Sequence, residues 1–221
     1  MSALEDLSEL FEPFESLGNN CEFGMVQRFS GFDPPGLFRN VGYMTPQIIV
    51  DAINTGFADM FDEGRYEFTQ PFMWPDWRLG CQVHGFGFHT GIPASLELNS
   101  DAWRRKTSES IRMFRFLKAK LLEELREGEK IFVFRFDHDV GMELVERLHA
   151  AIRAHGPGWL LYVKQDPSQP FGWTQLHAER LIVAAIGKLM NELPQVIDME
   201  AWRAIAQTSR AIVAASREQH D

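Results

Sequence analysis

Cysteine is scarce in this chain of 221 residues, which contains only Cys21 and Cys81. Small secreted domains that depend on disulfide bonds carry many more cysteines, so the sequence excludes a disulfide-stapled scaffold and favours a reducing compartment. The first residues are acidic and lack a basic region followed by an apolar one, so no signal peptide is predicted. No apolar run reaches the length of about 18 residues expected of a membrane span. We therefore predict a cytoplasmic protein.

An excess of basic residues is also absent. The chain has 22 lysines and arginines against 31 aspartates and glutamates, a formal net charge of −9. Neutralising phosphates requires a basic face, so nucleic acid is not an expected partner. Hydrophobic residues make up 45% and charged residues 24% of the chain, which is typical of a globular protein. With no repeats and no low-complexity linker, residues 1–221 are predicted to form a single domain.

The motifs of several large enzyme classes are missing as well. The chain has no Walker-type phosphate loop, no G-x-G-x-x-G turn and no G-x-S-x-G elbow. The glycines of Gly85-Phe86-Gly87 lie within a predicted strand and do not form a phosphate cradle. We therefore expect no nucleotide or other cofactor, and no serine nucleophile on an α/β-hydrolase elbow.

Hydrophobic periodicity and capping residues predict a mixture of helices and strands. The predicted helices cover residues 1–12, 22–29, a segment starting at Thr45-Pro46, 101–127, 142–155 and 198–216, with a frayed tail over 213–221. The predicted strands are an antiparallel pair joined near Pro75-Asp76, whose second member runs over 79–90, followed by strands over 131–136, 159–163 and 181–186.

The last third of the chain indicates the fold class. Apolar, β-branched runs alternate there with amphipathic helices, which is typical of parallel strands covered by helices. We predict an α/β fold: a single three-layer domain with a mixed, partly parallel sheet.

The segment from Phe14 to Gly24 predicts a reactive site. It starts as a short strand, turns through Gly18, Asn19 and Asn20, and places Cys21 at the first turn of a helix. A helix N-terminus stabilises negative charge, so it is expected to lower the pKa of the thiol. Backbone amides around Asn19, Asn20 and Glu22 could stabilise an anion beside the sulfur or contact a substrate. Two other interpretations stay open: Cys21 contacts a ligand without catalysis, or it packs as a small hydrophobe.

A catalytic thiol needs an imidazole base and a group that orients it. We predict His89 as the base because it ends a strand among small residues, with His84 as the alternative. For the orienting carboxylate we predict Asp137, with Asp166 as the alternative. Both aspartates follow predicted strands of the parallel sheet, at the edge where α/β proteins place their sites.

The residue types of the chain also allow two other kinds of site. Cys81, His84 and His89, with the segment from Asp137 to Asp139, supply ligand types that zinc accepts, but the spacing matches no common zinc pattern, so no metal is predicted. The aromatic residues Tyr66, Phe72, Trp74 and Trp77 could stack on a sugar or a peptide side chain. They support a second hypothesis, a non-catalytic module that binds a glycan, a peptide or another protein.

Several segments together resemble a known family. They are the Leu17-Gly18-Asn19-Asn20-Cys21 motif, the strand ending in Phe88-His89-Thr90, Trp103-Arg104-Arg105, and the strand beginning at Lys130-Ile131. The similarity spans residues 12–136 and is to a bacterial family of unknown function described as papain-like cysteine peptidases. In that family Cys21 and His89 occupy the matching cysteine and histidine positions. The resemblance implies a cysteine-dependent hydrolase or acyl-transfer enzyme acting on a peptide, acyl or glycan-linked substrate, and an α+β papain-like fold as the alternative architecture.

Overall fold

A computed structural model describes residues 5–18, 21–70, 75–187 and 197–218 of the chain. The helices are α1 (Glu5–Phe11), α2 (Glu22–Phe29), α3 (Pro46–Asn54), α4 (Asp101–Glu127), α5 (Met142–His155) and α6 (Met199–Glu218), with a short 3-10 helix over Leu37–Asn40. The strands are β1 (Phe14–Ser16), β2 (Val41–Tyr43), β3 (Tyr66–Thr69), β4 (Asp76–Cys81), β5 (Gly87–Pro93), β6 (Ile131–Phe134), β7 (Trp159–Gln165), β8 (Thr174–Ala178) and β9 (Leu181–Ile186).

The larger sheet has five strands in the order β1-β6-β7-β9-β8. The first four strands pair in parallel, and β8 joins the edge antiparallel to β9. Helix α5 connects β6 to β7 as a crossover, the connection that parallel neighbours require. The sheet is therefore mixed and mostly parallel, as the sequence predicts.

Both faces of this sheet are covered. In β6, Phe132 and Phe134 enter one core together with residues of α3, α4 and α5, while Ile131 and Val133 enter a second core with residues of α1, α2 and α6. Alternate residues of a strand point to opposite faces, so a fully apolar strand serves two cores at once. Helix, sheet and helix form three layers, and the chain adopts an α/β fold and not the α+β alternative.

A second sheet packs on the first core and corrects one sequence prediction. It is antiparallel, with the order β2-β5-β4-β3. The predicted single strand over 79–90 is wrong, because the chain turns between β4 and β5. Gly85 has a φ of +73°, its amide donates to the Cys81 carbonyl at 2.8 Å, and the Cys81 amide donates to the Phe86 carbonyl at 2.8 Å. His84 lies in the turn and His89 on the strand beyond it.

Most helix boundaries follow the sequence prediction. Ser100 caps α4 by accepting the Trp103 amide at 3.2 Å, and Gly128 ends it with a φ of +67°. Asp198 caps α6 by accepting the Ala201 amide at 3.0 Å. The predicted fraying from residue 213 is wrong as far as Glu218, because α6 continues to that residue and buries Val213.

Within residues 5–18, 21–70, 75–187 and 197–218, no helix combines the length and the apolar character that crossing a bilayer requires.

Candidate active site

Cys21 lies directly before α2, where the sequence predicts it. The Leu17 amide donates to the Val133 carbonyl at 2.8 Å, which extends the pairing of β1 with β6 up to the turn. A Cβ at Gly18 would lie 2.5 Å from the Arg135 carbonyl oxygen, so this position accepts only glycine without rearrangement. The chain then reaches Cys21, whose carbonyl accepts the Met25 amide at 2.8 Å. Asn19 and Asn20, predicted to contact the substrate, lie outside the described residues.

Cys21 and His89 line the same cavity, which has a volume of about 510 Å³. Cys21 precedes α2, which contributes Arg28, while β5 contributes His89 and α4 contributes Met113. We call this space the thiol cavity. The structure thus brings the predicted nucleophile and the predicted base, which are far apart in sequence, to one site.

Asp76 orients His89. Its Oδ1 lies 3.0 Å from His89 Nδ1, and its Oδ2 accepts the amides of Thr90 and Gly91 at 2.9 and 3.0 Å. Burial opposes ionisation of Asp76, but the hydrogen bonds from His89, Gly91 and Thr90 outweigh it and hold the pKa of this carboxyl below its ordinary value. An ionised Asp76 accepts a hydrogen from Nδ1, which leaves Nε2 as the basic nitrogen of His89.

The sequence prediction of the orienting carboxylate is thereby corrected. Asp137 lies 2.7 Å from His138 Nδ1, and Asp166 binds Lys164 Nζ at 3.0 Å and Ser168 Oγ at 2.6 Å. Neither aspartate lines the thiol cavity. Both follow strands of the parallel sheet, whereas His89 belongs to the antiparallel sheet, where Asp76 begins the neighbouring strand. The prediction looked for the carboxylate at the ends of the parallel strands, whereas the carboxylate beside His89 comes from the antiparallel sheet.

His84, the alternative base, is also away from the site. Its Nε2 lies 3.2 Å from the Ala58 carbonyl oxygen, and its ring packs against Phe57 and Phe86. Since it belongs to the turn between β4 and β5, it does not line the thiol cavity.

The side chain of Glu22 points into the core and not toward a substrate. It is fully buried, its Oε2 lies 2.8 Å from Arg135 Nε, and its Oε1 accepts the Trp202 indole hydrogen at 2.9 Å. The ion pair ties the first turn of α2 to the end of β6, and the hydrogen bond from Trp202 ties it to α6. Only the backbone amide of Glu22 is left for the role that the sequence predicts.

The pKa of the Cys21 thiol is raised in the structure, whereas the sequence predicts a lowered pKa. Cys21 is exposed as a residue, yet burial of its thiol raises the pKa, and the positive charges of Arg78 and Arg28 oppose this rise. Arg78 lies directly across from His89 in the pairing of β4 with β5. Its guanidinium packs so closely on Gly42 that a Cβ there would overlap it. The surroundings of Cys21 therefore disfavour the thiolate, contrary to the sequence expectation.

A salt-bridged loop forms one wall of the thiol cavity. Asp33 lies 3.3 Å from Arg28 Nε and also pairs with Arg39. Arg39 in turn donates to the carbonyls of Gly24, at 2.9 Å, and Pro34. These bonds fix the Pro34-Pro35-Gly36 segment against α2. Arg28 and Asp33 are not predicted from the sequence, because their pairing depends on the path of this loop.

The described part of the chain gives little support to a zinc site or to an aromatic binding surface. Within it, no three or more side chains of His, Cys, Asp or Glu are grouped as a metal ion would require. Cys81 is buried in the main core. Of the predicted aromatic surface, Trp77 is only 2% exposed and packs edge-on against Trp103, whereas Phe72 and Trp74 lie outside the described residues.

Comparison with protein-family models, with curated proteins and with solved structures finds no match for this chain. The resemblance to papain-like cysteine peptidases therefore stays a prediction, and the candidate site is supported by its own geometry: a thiol and an imidazole in one cavity, with a buried carboxylate behind the imidazole.

Proposed function

We propose that this protein is a cysteine-dependent hydrolase or acyl-transfer enzyme in which Cys21 is the nucleophile, His89 the base and acid, and Asp76 the orienting carboxylate. One observation carries the proposal. The cavity that contains the Cys21 thiol also contains the imidazole of His89, whose Nδ1 is held by a buried aspartate at 3.0 Å. Chemistry of this type needs these three groups in this order.

The reaction begins with proton transfer. His89 Nε2 takes the proton of Cys21 as the sulfur attacks the carbonyl carbon of the substrate, and a C–S bond forms. The protonated imidazole then gives its proton to the leaving nitrogen or oxygen, whose bond to carbon breaks. Asp76 remains ionised and stabilises the imidazolium while it exists. Water attacks the acyl-enzyme with His89 again as base, which releases a carboxylic acid and restores the thiol.

Anion stabilisation is assigned to the turn that precedes α2. The amides of Cys21 and Glu22 belong to the first turn of this helix, where backbone donors and the helix dipole favour negative charge. The electrostatic effects of Arg78 and Arg28 favour the thiolate in the same region. An oxyanion that forms beside the sulfur would be stabilised by both.

The alternative of a non-catalytic binding module is less well supported. Its aromatic surface included Trp77, which is buried against Trp103. Replacing Trp77 is therefore expected to affect folding before it affects any ligand.

A reducing compartment such as the cytoplasm is proposed for this enzyme, because both cysteines are free and a catalytic thiol must stay reduced. Cell fractionation with a thiol-trapping reagent tests this: Cys21 should be recovered as a free thiol from the cytoplasmic fraction.

The proposed activity is tested by acylation with p-nitrophenyl acetate followed by mass spectrometry of the digested protein. We expect one acetyl group on Cys21, a burst of p-nitrophenol equal to the enzyme concentration, and loss of both in Cys21→Ser. Cys81→Ala is the matched control and should keep the burst and the acetylation of Cys21, because Cys81 lies in the core and does not line the thiol cavity. Acetylation of surface lysines alone, with no burst, would contradict the proposal.

A further inference from the structure

The thiol cavity extends beyond the reacting groups along the surface of α2. It is lined by Cys21 and, on α2, by Gly24, Met25 and Arg28, a spacing that places these residues on one face of the helix. From Cys21 to Arg28 the helix rises by about 10 Å. The cavity, with its volume of about 510 Å³, therefore includes a groove that leads away from the sulfur along α2.

We propose that this groove binds the acyl group of the substrate and that the acyl group is an uncharged, linear aliphatic chain of about eight carbons. This assignment rests on the proposed function, because the acyl group is the part of the substrate that becomes bonded to Cys21. It adds the chemical class of the substrate to that function.

The reaction determines which part of the substrate needs the groove. The leaving atom is bonded to the carbon that the sulfur attacks and takes its proton from His89 Nε2, so it lies beside the imidazole. After it departs, the acyl group stays bonded to the Cys21 sulfur while water attacks. The acyl group therefore needs a binding surface that starts at the sulfur and serves both steps.

The uncharged side chains of the cavity are apolar. Helix α4 contributes Met113 and Leu117, which lie one turn apart, and α2 contributes Met25. The loop after α2 contributes Pro34 and Pro35. Methionine side chains are flexible and polarisable, so they adapt to the shape of an apolar ligand. Each methylene of an aliphatic chain that leaves water for this lining strengthens binding.

The charged side chains of the cavity wall are engaged with one another. Asp33 lies 3.3 Å from Arg28 Nε and also pairs with Arg39. Arg39 donates as well to the carbonyls of Gly24, at 2.9 Å, and Pro34. A charged acyl chain would have to break these pairs or lose its hydration without a partner. The pairing therefore favours an uncharged chain.

The same ion pairs limit the length of the chain. Arg28 lies about two turns of α2 beyond Cys21, and its guanidinium is held by Asp33. A linear chain that starts at the sulfur reaches this point after about eight carbons, given C–C bonds of about 1.5 Å. The further carbons of a longer chain pass into solvent and add little to binding.

A series of p-nitrophenyl esters with acyl chains of two, four, six, eight and twelve carbons tests this assignment. In each acylation the C–S bond to Cys21 forms, the bond from carbon to p-nitrophenolate breaks, and the thiol proton passes to His89. Water then releases the carboxylic acid and restores the thiol. The rate constant of acylation, measured by stopped-flow absorbance below the concentration at which the esters form micelles, is divided by that of hydroxide-catalysed hydrolysis of the same ester. We expect the corrected rate to rise about two- to fourfold per methylene up to about eight carbons and then to level off.

Two further esters define the chemistry of the chain. The mono-p-nitrophenyl ester of adipic acid has the length of the hexanoate ester but ends in a carboxylate, and its corrected rate should be at least about tenfold lower. The p-nitrophenyl ester of N-acetyl-norleucine distinguishes the two sources of a linear aliphatic chain. A corrected rate above that of hexanoate indicates a peptide residue, and a rate below it indicates a fatty acid.

Variants of α4 locate the chain. Met113→Glu places a charge in the groove and should lower the ratio of octanoate to acetate acylation at least about tenfold, whereas Met113→Leu should keep this ratio. Phe116→Glu is the matched control, because it places the same charge on α4 at a side chain that is 60% exposed and does not line the thiol cavity. It should keep the ratio of the wild type.

Two failures are distinguishable. If none of the esters acylates Cys21, the proposed function itself is wrong, and the assignment of the groove falls with it. If Cys21 is acylated but the corrected rate does not depend on chain length, or the adipate ester reacts as fast as the hexanoate ester, the groove does not bind an aliphatic acyl chain although the nucleophile is correct.

Discussion

Asp76 binds His89 through one carboxylate oxygen at 3.0 Å and uses the other to accept the amides of Thr90 and Gly91 at 2.9 and 3.0 Å. Both oxygens are therefore fixed by groups on β5, and the imidazole has a defined tautomer with Nε2 as its base. Under the proposed function, this relationship between neighbouring antiparallel strands positions His89 as the base.

Replacing Asp76 tests the role of this carboxylate. Asp76→Asn keeps the size of the side chain, but its amide can donate to Nδ1 and so favour the tautomer that carries its hydrogen on Nε2. We expect kcat/KM for p-nitrophenyl acetate to fall by about 100-fold or more, with little change in the urea midpoint. The matched controls are Asp137→Asn and Asp166→Asn, which should retain activity because neither side chain lines the thiol cavity. Inactivation by either control, with Asp76→Asn active, would contradict the assignment.

Arg78 is expected to favour ionisation of the nucleophile. Burial raises the pKa of Cys21, and the charge of Arg78 is the main opposing influence. In Arg78→Met the pKa of Cys21 should rise further, so alkylation of Cys21 by iodoacetamide at pH 7 should slow several-fold. Arg78→Lys should recover part of the rate because it restores the charge. Equal alkylation profiles for Met and Lys at this position would show that the charge has no effect.

The turn before Cys21 depends on the absence of a side chain at Gly18. A Cβ there would lie 2.5 Å from the Arg135 carbonyl oxygen, a backbone atom that cannot move alone. Gly18→Ala should lower the free energy of unfolding by about 1–3 kcal/mol, the cost of overpacking. The control is Gly187→Ala, where a Cβ meets no atom within 4 Å. Urea unfolding of both variants measures the difference, and equal midpoints would be inconsistent with the described turn.

The raised pKa of Glu15 predicts that the free energy of unfolding depends on pH. Burial, followed by repulsion from Glu124, raises its pKa from 4.5 to about 7 against the opposing effect of Lys120, which lies 3.2 Å away. A carboxyl with a raised pKa in the folded state binds its proton more tightly there than in the unfolded state. Its contribution to stability is therefore complete below about pH 4.5 and is lost as the pH rises through about 7.

Glu15→Gln should remove this loss. Between pH 5 and pH 8 the free energy of unfolding of the wild type should fall by up to about 3 kcal/mol more than that of the variant. Urea unfolding at the two pH values measures this difference. The control Glu123→Gln on the exposed face of α4 should follow the wild type. If Glu15→Gln loses as much stability as the wild type over this range, Glu15 does not titrate there.

The sequence predicted the elements whose ends are marked by local chemistry. Helix α4 is bounded by the Ser100 cap and by Gly128, and each acts within a few residues of the helix end. Strands β6, β7 and β9 were predicted because each of them carries an apolar run that serves both faces of the sheet. Strand β8 was missed because four of its five residues are exposed, so it carries no apolar pattern.

The site was predicted only in part, for a physical reason. Cys21 and His89 stand out by local pattern, since one begins a helix after a turn and the other ends a strand. Asp76 is found only from the register of β4 with β5, which depends on the turn around Gly85. The alternation of residues 79–90 suggested one continuous strand, so this register and the carboxylate beside His89 were hidden. The sequence signal that could have revealed the hairpin was Gly85 itself, because a turn with a positive φ, here +73°, favours glycine.

The central claim, that His89 is the base for Cys21, is tested most directly by the rate at which iodoacetamide alkylates Cys21 between pH 5 and pH 10. The wild type and His89→Gln are compared, and the modified residue is identified by mass spectrometry. We predict that at pH 7 the wild type reacts at least about tenfold faster than His89→Gln, and that the two rates converge at high pH, where the thiol ionises without a base. Identical profiles for the two proteins would contradict the account.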